Sequence, residues 1–327
     1  MKFRTYPFLA IVLLLLALQS ACKKKPSIAA STCKTQLHGY TVSFDSLYSG
    51  GPLRGCSHIV INTTNGRAGI KGAFNGYMTI FSPSAFNPSD NCYYVFGRVD
   101  NSGPLCLYKI NEDGTTTVLQ MPPVNSCSGS LVYNGATKAL YTIINGSIAK
   151  ITPGTSSVSV QSVAKATHLS SISGESGITA DSTTGNMYYL TYDETPGFPY
   201  TTYIERCRPG DTVTSVIGSY SSMDHNPIQQ LHFNTNDKMM YGLEDDFGSG
   251  YNFLKIDPSS GAISTIVNMH IIYPNWYSAT IDQCANRYII STVSSVNSYA
   301  GILYQLSMEG KPLQIDTTAT FYTGLAD

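Results

Sequence analysis

Apolar positions in this chain fall in short runs that alternate with polar ones or are rich in β-branched residues, as in Thr115 to Leu119, Val158 to Val163, Thr212 to Ile217 and Ala262 to Val267. That period is the mark of half-buried strands. Ahead of these runs a phrase recurs: an apolar pair, an Asx or similar polar residue, then a turn ending in Gly. It appears as Ile59-Val60-Ile61-Asn62 to Gly66, Leu107-Tyr108-Lys109-Ile110-Asn111 to Gly114, Ile148-Ala149-Lys150-Ile151-Thr152 to Gly154, Tyr203-Ile204-Glu205 to Gly210, Phe253-Leu254-Lys255-Ile256-Asp257 to Gly261, and Leu303-Tyr304-Gln305-Leu306-Ser307 to Gly310. The glycines lie 48, 40, 56, 51 and 49 residues apart, too far for single hairpins and suited to one four-stranded propeller blade per copy. The six copies predict an all-β, six-bladed β-propeller.

A second signature precedes four of the phrases: Asn134 and Tyr141, Asp181 and Tyr188, Asn234 and Tyr241, and, one residue shorter, Asp282 and Tyr288. In a blade the Asx would end the innermost strand and turn the chain, with the Tyr packing in the second strand. The extremities then predict how the ring closes. Tyr322-Thr323-Gly324-Leu325-Ala326-Asp327 resembles the innermost-strand segments Glu175 to Asp181 and Tyr277 to Asp282 but has nothing after it. Conversely, Tyr40 to Phe44, His58 to Ile61 and Ala68 to Phe74 read as second, third and outer strands lacking an inner one. Joining them removes two unpaired edges, so the C-terminal strand is expected to complete the N-terminal blade. The alternative is five complete blades and an unrelated N-terminal cap.

The first residues speak of address. Lys2 and Arg4 precede an apolar run from Phe8 to Leu18, closed by Ser20-Ala21-Cys22, the layout of a secretory signal. A cysteine directly after small residues resembles the bacterial lipoprotein signal, although Gln19 stands where that family usually has an aliphatic residue. The resemblance implies residues 1–21 as signal peptide, Cys22 as the lipidated first mature residue, 22–32 as a flexible tether containing Lys23, Lys24 and Lys25, and 33–327 as the propeller. No Asp follows Cys22, so the family pattern favours the outer membrane, with the leaflet left open.

Composition agrees with an exported β domain. Only 13% of residues are charged, against about a quarter in average proteins, while 23 Tyr and 28 Gly suit twisted sheet and tight turns. Setting aside the signal and tether leaves 15 basic against 21 acidic residues. That balance gives no support for a nucleic-acid partner, which needs a concentrated basic face. From about Tyr40 to Asp327 the repeat pattern resembles the bacterial six-bladed propellers of the NHL, YncE-like and TolB-like groups. Those motifs mark blades and say nothing of chemistry.

Eight cysteines are present, and an exported chain permits disulfides. In the blade scheme Cys106 and Cys127 share one face and Cys33 lies with Cys56 in the first blade, so these two pairs are the expected bridges.

For function, the loops entering the inner strands are expected to meet the second-to-third strand loops on one face, conventionally the top. They carry His168 and Glu175; Asp224, His225 and Asn226; and His270, Tyr273, Asn275 and Trp276. Three successive blades thus offer His168, His225 and His270, which with Glu175 or Asp224 as base could hold a divalent metal and activate water. The other reading is three locally hydrogen-bonded loop histidines, since they lie at unequal distances from the following Asx. Tyr192, Asp193 and Tyr200, and Asp245 and Asp246, add aromatics beside carboxylates, a mixture suited to sugar rings. A loose resemblance to calcium-binding gluconolactonase-type propellers rests on Asp181, Tyr188 and Asp193, but Ser176 replaces the Asn that pattern wants. No nucleophile elbow, zinc-protease motif, phosphate loop or dinucleotide fingerprint occurs, and no motif requires a cofactor. The sequence therefore points first to a non-catalytic binding or scaffold module for a glycan, peptide or envelope protein, held to a membrane by lipid, and second to a metal-assisted hydrolase, lyase or lactonase.

Overall fold

The computed structural model describes residues 36–42, 56–74, 83–100, 103–124, 127–168, 177–193, 200–222, 228–246, 250–269, 277–293, 301–318 and 321–326. The chain opens with β1 (Gln36–Val42), β2 (Cys56–Asn62) and β3 (Arg67–Phe74), followed by β4 (Ser84–Asn87), β5 (Cys92–Arg98), β6 (Leu105–Ile110) and β7 (Thr116–Gln120). Next come β8 (Cys127–Asn134), β9 (Ala139–Ile144), β10 (Ser147–Pro153) and β11 (Val158–Lys165), then β12 (Ile178–Ala180), β13 (Met187–Asp193), β14 (Tyr200–Cys207) and β15 (Ser215–Ser222). The last are β16 (Gln229–Asn234), β17 (Met239–Asp246), β18 (Gly250–Ile256), β19 (Ile263–Met269), β20 (Tyr277–Asp282), β21 (Arg287–Val293), β22 (Gly301–Ser307), β23 (Pro312–Thr318) and β24 (Phe321–Ala326). Five sheets take four consecutive antiparallel strands each, and the sixth is ordered β24-β1-β2-β3. Blade 1 is that mixed sheet, and blades 2 to 6 follow in chain order.

Closure therefore happens as the extremities suggest. β24 pairs with β1 through His38 and Ala326, Tyr40 and Thr323, Thr41 and Tyr322, and Val42 and Phe321. Tyr322 and Leu325 pack into a buried cluster with Leu37, Ile59 and Ile61 of blade 1 and with Ile289 and Leu303 of blade 6. The Leu325 amide donates to Ser278 Oγ at 3.1 Å, so blade 6 holds the closing strand from the side. The N-terminal segments belong to a full blade, and the cap alternative falls.

Both faces of each inner blade surface are covered, which explains why β5 reads as an unbroken apolar run. Its Tyr93 and Val95 point to blade 1, where they meet Tyr40 and Cys56. Its Tyr94 and Phe96 point the other way, to Leu131 and Leu140 of blade 3. The turn glycine of blade 5 follows from the same packing. Gly261 has φ +69°, and a Cβ there would lie 2.6 Å from the Cα of Gly218, on the outer strand of the preceding blade. Neither the backbone angle nor the space admits another residue cheaply.

The Asx signature holds as well, and does more than turn the chain. Asn134, Asp181, Asn234 and Asp282 are all buried, and each accepts backbone amides of its own turn, as Asn134 Oδ1 does from Ala136 at 3.1 Å. Three of them also tie neighbouring blades: Asn134 Nδ2 donates to the Gly185 carbonyl at 3.0 Å, Asn234 Nδ2 to Asn286 Oδ1 at 2.9 Å, and Asp282 accepts from the Thr63 hydroxyl.

The expected disulfides do not form. Cys56 and Cys106 are free and buried, which removes both the Cys33–Cys56 and the Cys106–Cys127 pairing. The reason is side-chain alternation: Cys106 points back to blade 1 and shares a cluster with Cys56, Tyr40 and Tyr93, away from blade 3, to which Cys127 belongs. Burial pushes the Cys56 thiol up to about 12. Cys284 is disulfide-bonded, and Cys33 lies outside the described residues.

Candidate axial site

Six inner strands ring the axis, and their C-terminal halves line a cavity of about 290 Å³. Every blade contributes: Ser84, Ala85 and Phe86; Leu131, Val132 and Tyr133; Ile178 to Ala180; His232 and Phe233; Thr280 and Ile281; and Leu325 and Ala326. Pro88, Gly135, Ser182, Thr235 and Gln283, from the turns into the second strands, also line it. The cavity thus lies toward the face opposite the one on which a site was expected. Among the described residues no Asp, Glu, Lys or Arg lines it.

Much of its polar equipment is already engaged between blades. Thr179 Oγ1 accepts the Phe233 amide at 2.8 Å, Ser182 Oγ the Gly135 amide at 3.1 Å, and Gln283 Oε1 the Thr235 amide at 2.9 Å while its Nε2 donates to the Phe233 carbonyl at 2.8 Å. His232 is different. Its ring donates to the Ala279 carbonyl, while Nε2 is shielded from solvent and has no hydrogen-bond partner among the described residues. Burial drives its pKa down to about 4, outweighing that bond, so the ring is neutral near pH 7 and Nε2 carries a bare lone pair.

Two buried carboxylates lie off the axis and differ sharply. Glu205 Oε2 accepts from the Tyr189 hydroxyl at 2.5 Å, the Thr167 amide at 3.0 Å and the Thr214 hydroxyl, and Oε1 from the Thr191 hydroxyl at 2.9 Å and the His168 amide at 3.1 Å. Burial alone would push this carboxyl up. The bonds from Thr214, Tyr189, Thr167 and His168 outweigh it and hold the group below its ordinary value. Glu244, equally buried, has among the described residues only Asn252 Nδ2 on Oε2 at 3.0 Å, and its Oε1 lacks a partner there.

Against this frame the expected site residues divide. His168 stacks on Tyr203 with ring centroids 3.8 Å apart, and its Nδ1 is 3.4 Å from Glu205 Oε1. Tyr203 and Glu205 sit on the third strand of blade 4, two strand spacings or about 10 Å out from the inner strand, so His168 stands away from the axis. Tyr192, Asp193, Tyr200, Asp245 and Asp246 lie at the hairpin ends of β13, β14 and β17, where Asp193 faces Thr201 and Asp246 faces Gly250. Glu175, Asp224, His225, His270, Tyr273, Asn275, Trp276 and Cys22 lie outside the described residues. Among the described residues no three His, Cys, Asp or Glu side chains gather as metal ligands.

Sequence reasoning missed His232 and Glu205. Glu205 gave no warning: in the recurring phrase it stands where Lys109, Lys150 and Lys255 stand in other blades, and only the burial pattern of β14 shows it turned inward like Tyr108, Ala149 and Leu254. His232 gave none either, because the ring that surrounds it is assembled from segments scattered along the whole chain.

No family model and no curated protein matches the chain. Among solved structures, TolB from Acinetobacter baumannii matches with a TM-score of 0.63 and 10% identity, over 90% of this chain and 66% of that one. This chain therefore spans just under two thirds of that protein. The periplasmic gluconolactonase of Pseudomonas aeruginosa matches with a TM-score of 0.54 and 11% identity, over 89% of this chain and 98% of that one. At such identities the likeness is one of fold alone: the chain is a six-bladed β-propeller.

Proposed function

We propose that this protein is an exported, lipid-anchored, non-catalytic binding module whose axial cavity receives an uncharged ligand or partner segment. The observation that carries the reading is the cavity lining, contributed by all six blades and, among the described residues, free of ionised side chains. A charged ligand entering it would lose hydration with no counter-charge to replace it. The lipid anchor rests on the signal layout ending at Cys22, and the fold it shares with TolB and with a gluconolactonase leaves both binding and catalytic uses open to the architecture.

The test is capture of glycans and envelope extracts by the full-length protein and by an Ala180→Trp variant, in which a large ring fills the cavity. Loss of capture in the variant supports the axial site; undiminished capture overturns it. Metal analysis decides against the catalytic alternative or for it: a stoichiometric metal that disappears on His225→Ala would replace the binding module with a metal-assisted hydrolase, lyase or lactonase. Incorporation of labelled palmitate that is abolished by Cys22→Ala tests the anchor.

A further inference from the structure

The axial cavity rules out several ligand chemistries by its own bonding. An inner strand has one edge turned to the axis, and a peptide added there would need free backbone amides to build a ladder. Three of those amides are already taken by side chains of the preceding blade. Phe233 donates to Thr179 Oγ1 at 2.8 Å, Ala279 to Gln230 Oε1 at 3.1 Å, and Leu325 to Ser278 Oγ at 3.1 Å. Recognition must then come from side chains. What these offer is rings and hydroxyls: Phe86, Phe233 and Tyr133 beside Thr179 and Thr280. Thr179, having accepted an amide proton, still has its own O–H to donate.

Set among them is one acceptor with nothing to accept. His232 lines the cavity, and its Nε2 has no partner among the described residues, although buried polar atoms in folded proteins are nearly always paired. Such an atom, shielded from solvent as it stands, is stabilised by any ligand that brings an O–H to it once the ring turns toward the cavity. The volume, about 290 Å³, equals the share of roughly ten liquid waters, room for one ring and not for an extended oligomer.

We infer that the axial cavity binds a single uncharged sugar ring, with an apolar face of the sugar against the aromatic side chains and one of its hydroxyls donating to His232 Nε2. This rests on the reading of the axis as the binding site and adds to it the ligand class and the residue that selects it.

The experiment uses full-length protein labelled with ¹⁵N-histidine, the His232 ring resonances being assigned by their loss in His232→Gln. The probes are methyl hexosides and N-acetylhexosamines, with a blocked alanine dipeptide and zinc chloride as competitors for the explanation. The expected result is that at least one sugar moves the His232 Nε2 resonance and that Ala180→Trp abolishes its binding. Loss of one hydrogen bond should weaken that sugar roughly ten-fold in His232→Leu, while His232→Gln, which keeps an acceptor, stays close to the wild type. Melting curves of the three variants establish that they are folded. Sugar binding that is indifferent to His232→Leu, or an Nε2 resonance moved by zinc alone, overturns the inference. Binding of the dipeptide but no sugar, blocked by Ala180→Trp, also overturns it while leaving the axial binding module standing. Failure of every probe together with undiminished envelope capture by Ala180→Trp removes both.

Discussion

Removing residues Phe321 to Asp327 puts ring closure itself at risk. Tyr322 is 8% exposed and Leu325 5%, and both pack on blades 1 and 6. Losing a buried Leu costs about 2–5 kcal/mol and a buried aromatic about 3–5 kcal/mol. The ladder to β1 and the Leu325–Ser278 bond each add about 1 kcal/mol. The sum, on the order of 8 kcal/mol, rivals the whole stability of an ordinary domain, about 5–15 kcal/mol. The truncated chain should thus be recovered unfolded or aggregated, with β1 left as a bare edge. Leu325→Ala is the graded version: about 2–5 kcal/mol lowers the melting midpoint by roughly 5–15 °C in a domain of this size. Calorimetry on the soluble fraction of both variants is the assay. A truncated chain that melts cooperatively within a few degrees of the intact one would refute the closed ring and everything placed at its axis.

Other expectations follow from individual residues. His58, 1% exposed and hydrogen-bonded to His38 at 3.1 Å, has its pKa pushed down to about 4, by burial first and by Lys71 second. Because the unfolded ring binds protons from about pH 6.5 downward and the folded one only near 4, its contribution is complete above pH 6.5 and drains away between 6.5 and 4, by roughly 3 kcal/mol. Urea midpoints should fall across that window and fall less steeply in His58→Gln; parallel slopes would refute the assignment. Gly261→Ala meets both a positive φ and the Gly218 backbone, whereas Gly210→Ala has a positive φ but open space. The first should cost at least 2 kcal/mol more than about 1 kcal/mol expected for the second, and equal losses by chemical denaturation would show that the close approach is unimportant. Cys56, Cys92, Cys106 and Cys207 are free and buried, with thiols raised by burial. Thiol reagents should therefore leave them unmodified in native protein and label all four after unfolding under non-reducing conditions; rapid native labelling would contradict the packing. Glu205→Leu leaves donors from Tyr189, Thr191, Thr214 and two backbone amides unpaired and should cost about 3–5 kcal/mol, read as a shift in the urea midpoint; a loss below 1 kcal/mol would mean the network is dispensable.

Blade count, strand order and closure were legible because each is written in local, repeated chemistry: an apolar pair, a turn glycine that takes positive φ in five of its six copies, an Asx that caps a turn. Cysteine pairing was not, since shared face and nearness along the sheet say nothing about which side of a strand a thiol occupies, and Cys106 points to the blade behind it. The expected histidine constellation assumed that loop residues from successive blades reach the same radius. His168 shows why this is unsafe: Glu205 and Tyr203 draw it outward onto the third strand through a backbone amide bond and a ring stack, between residues whose spacing carries no periodic sign. The axial cavity escaped notice for a related reason, as its lining combines one or two ordinary strand residues from each blade, and only the ring makes them neighbours.

The pairing of β24 with β1 also sets an order of events during biosynthesis. A ribosome delivers β1 first, and its inward edge must wait through five blades' worth of translation before the partner emerges. Contacts between such distant segments are the slowest to form. During that interval the nascent protein displays an unsatisfied β edge, a standing invitation to aggregation that chaperones would have to shield until the last residues arrive.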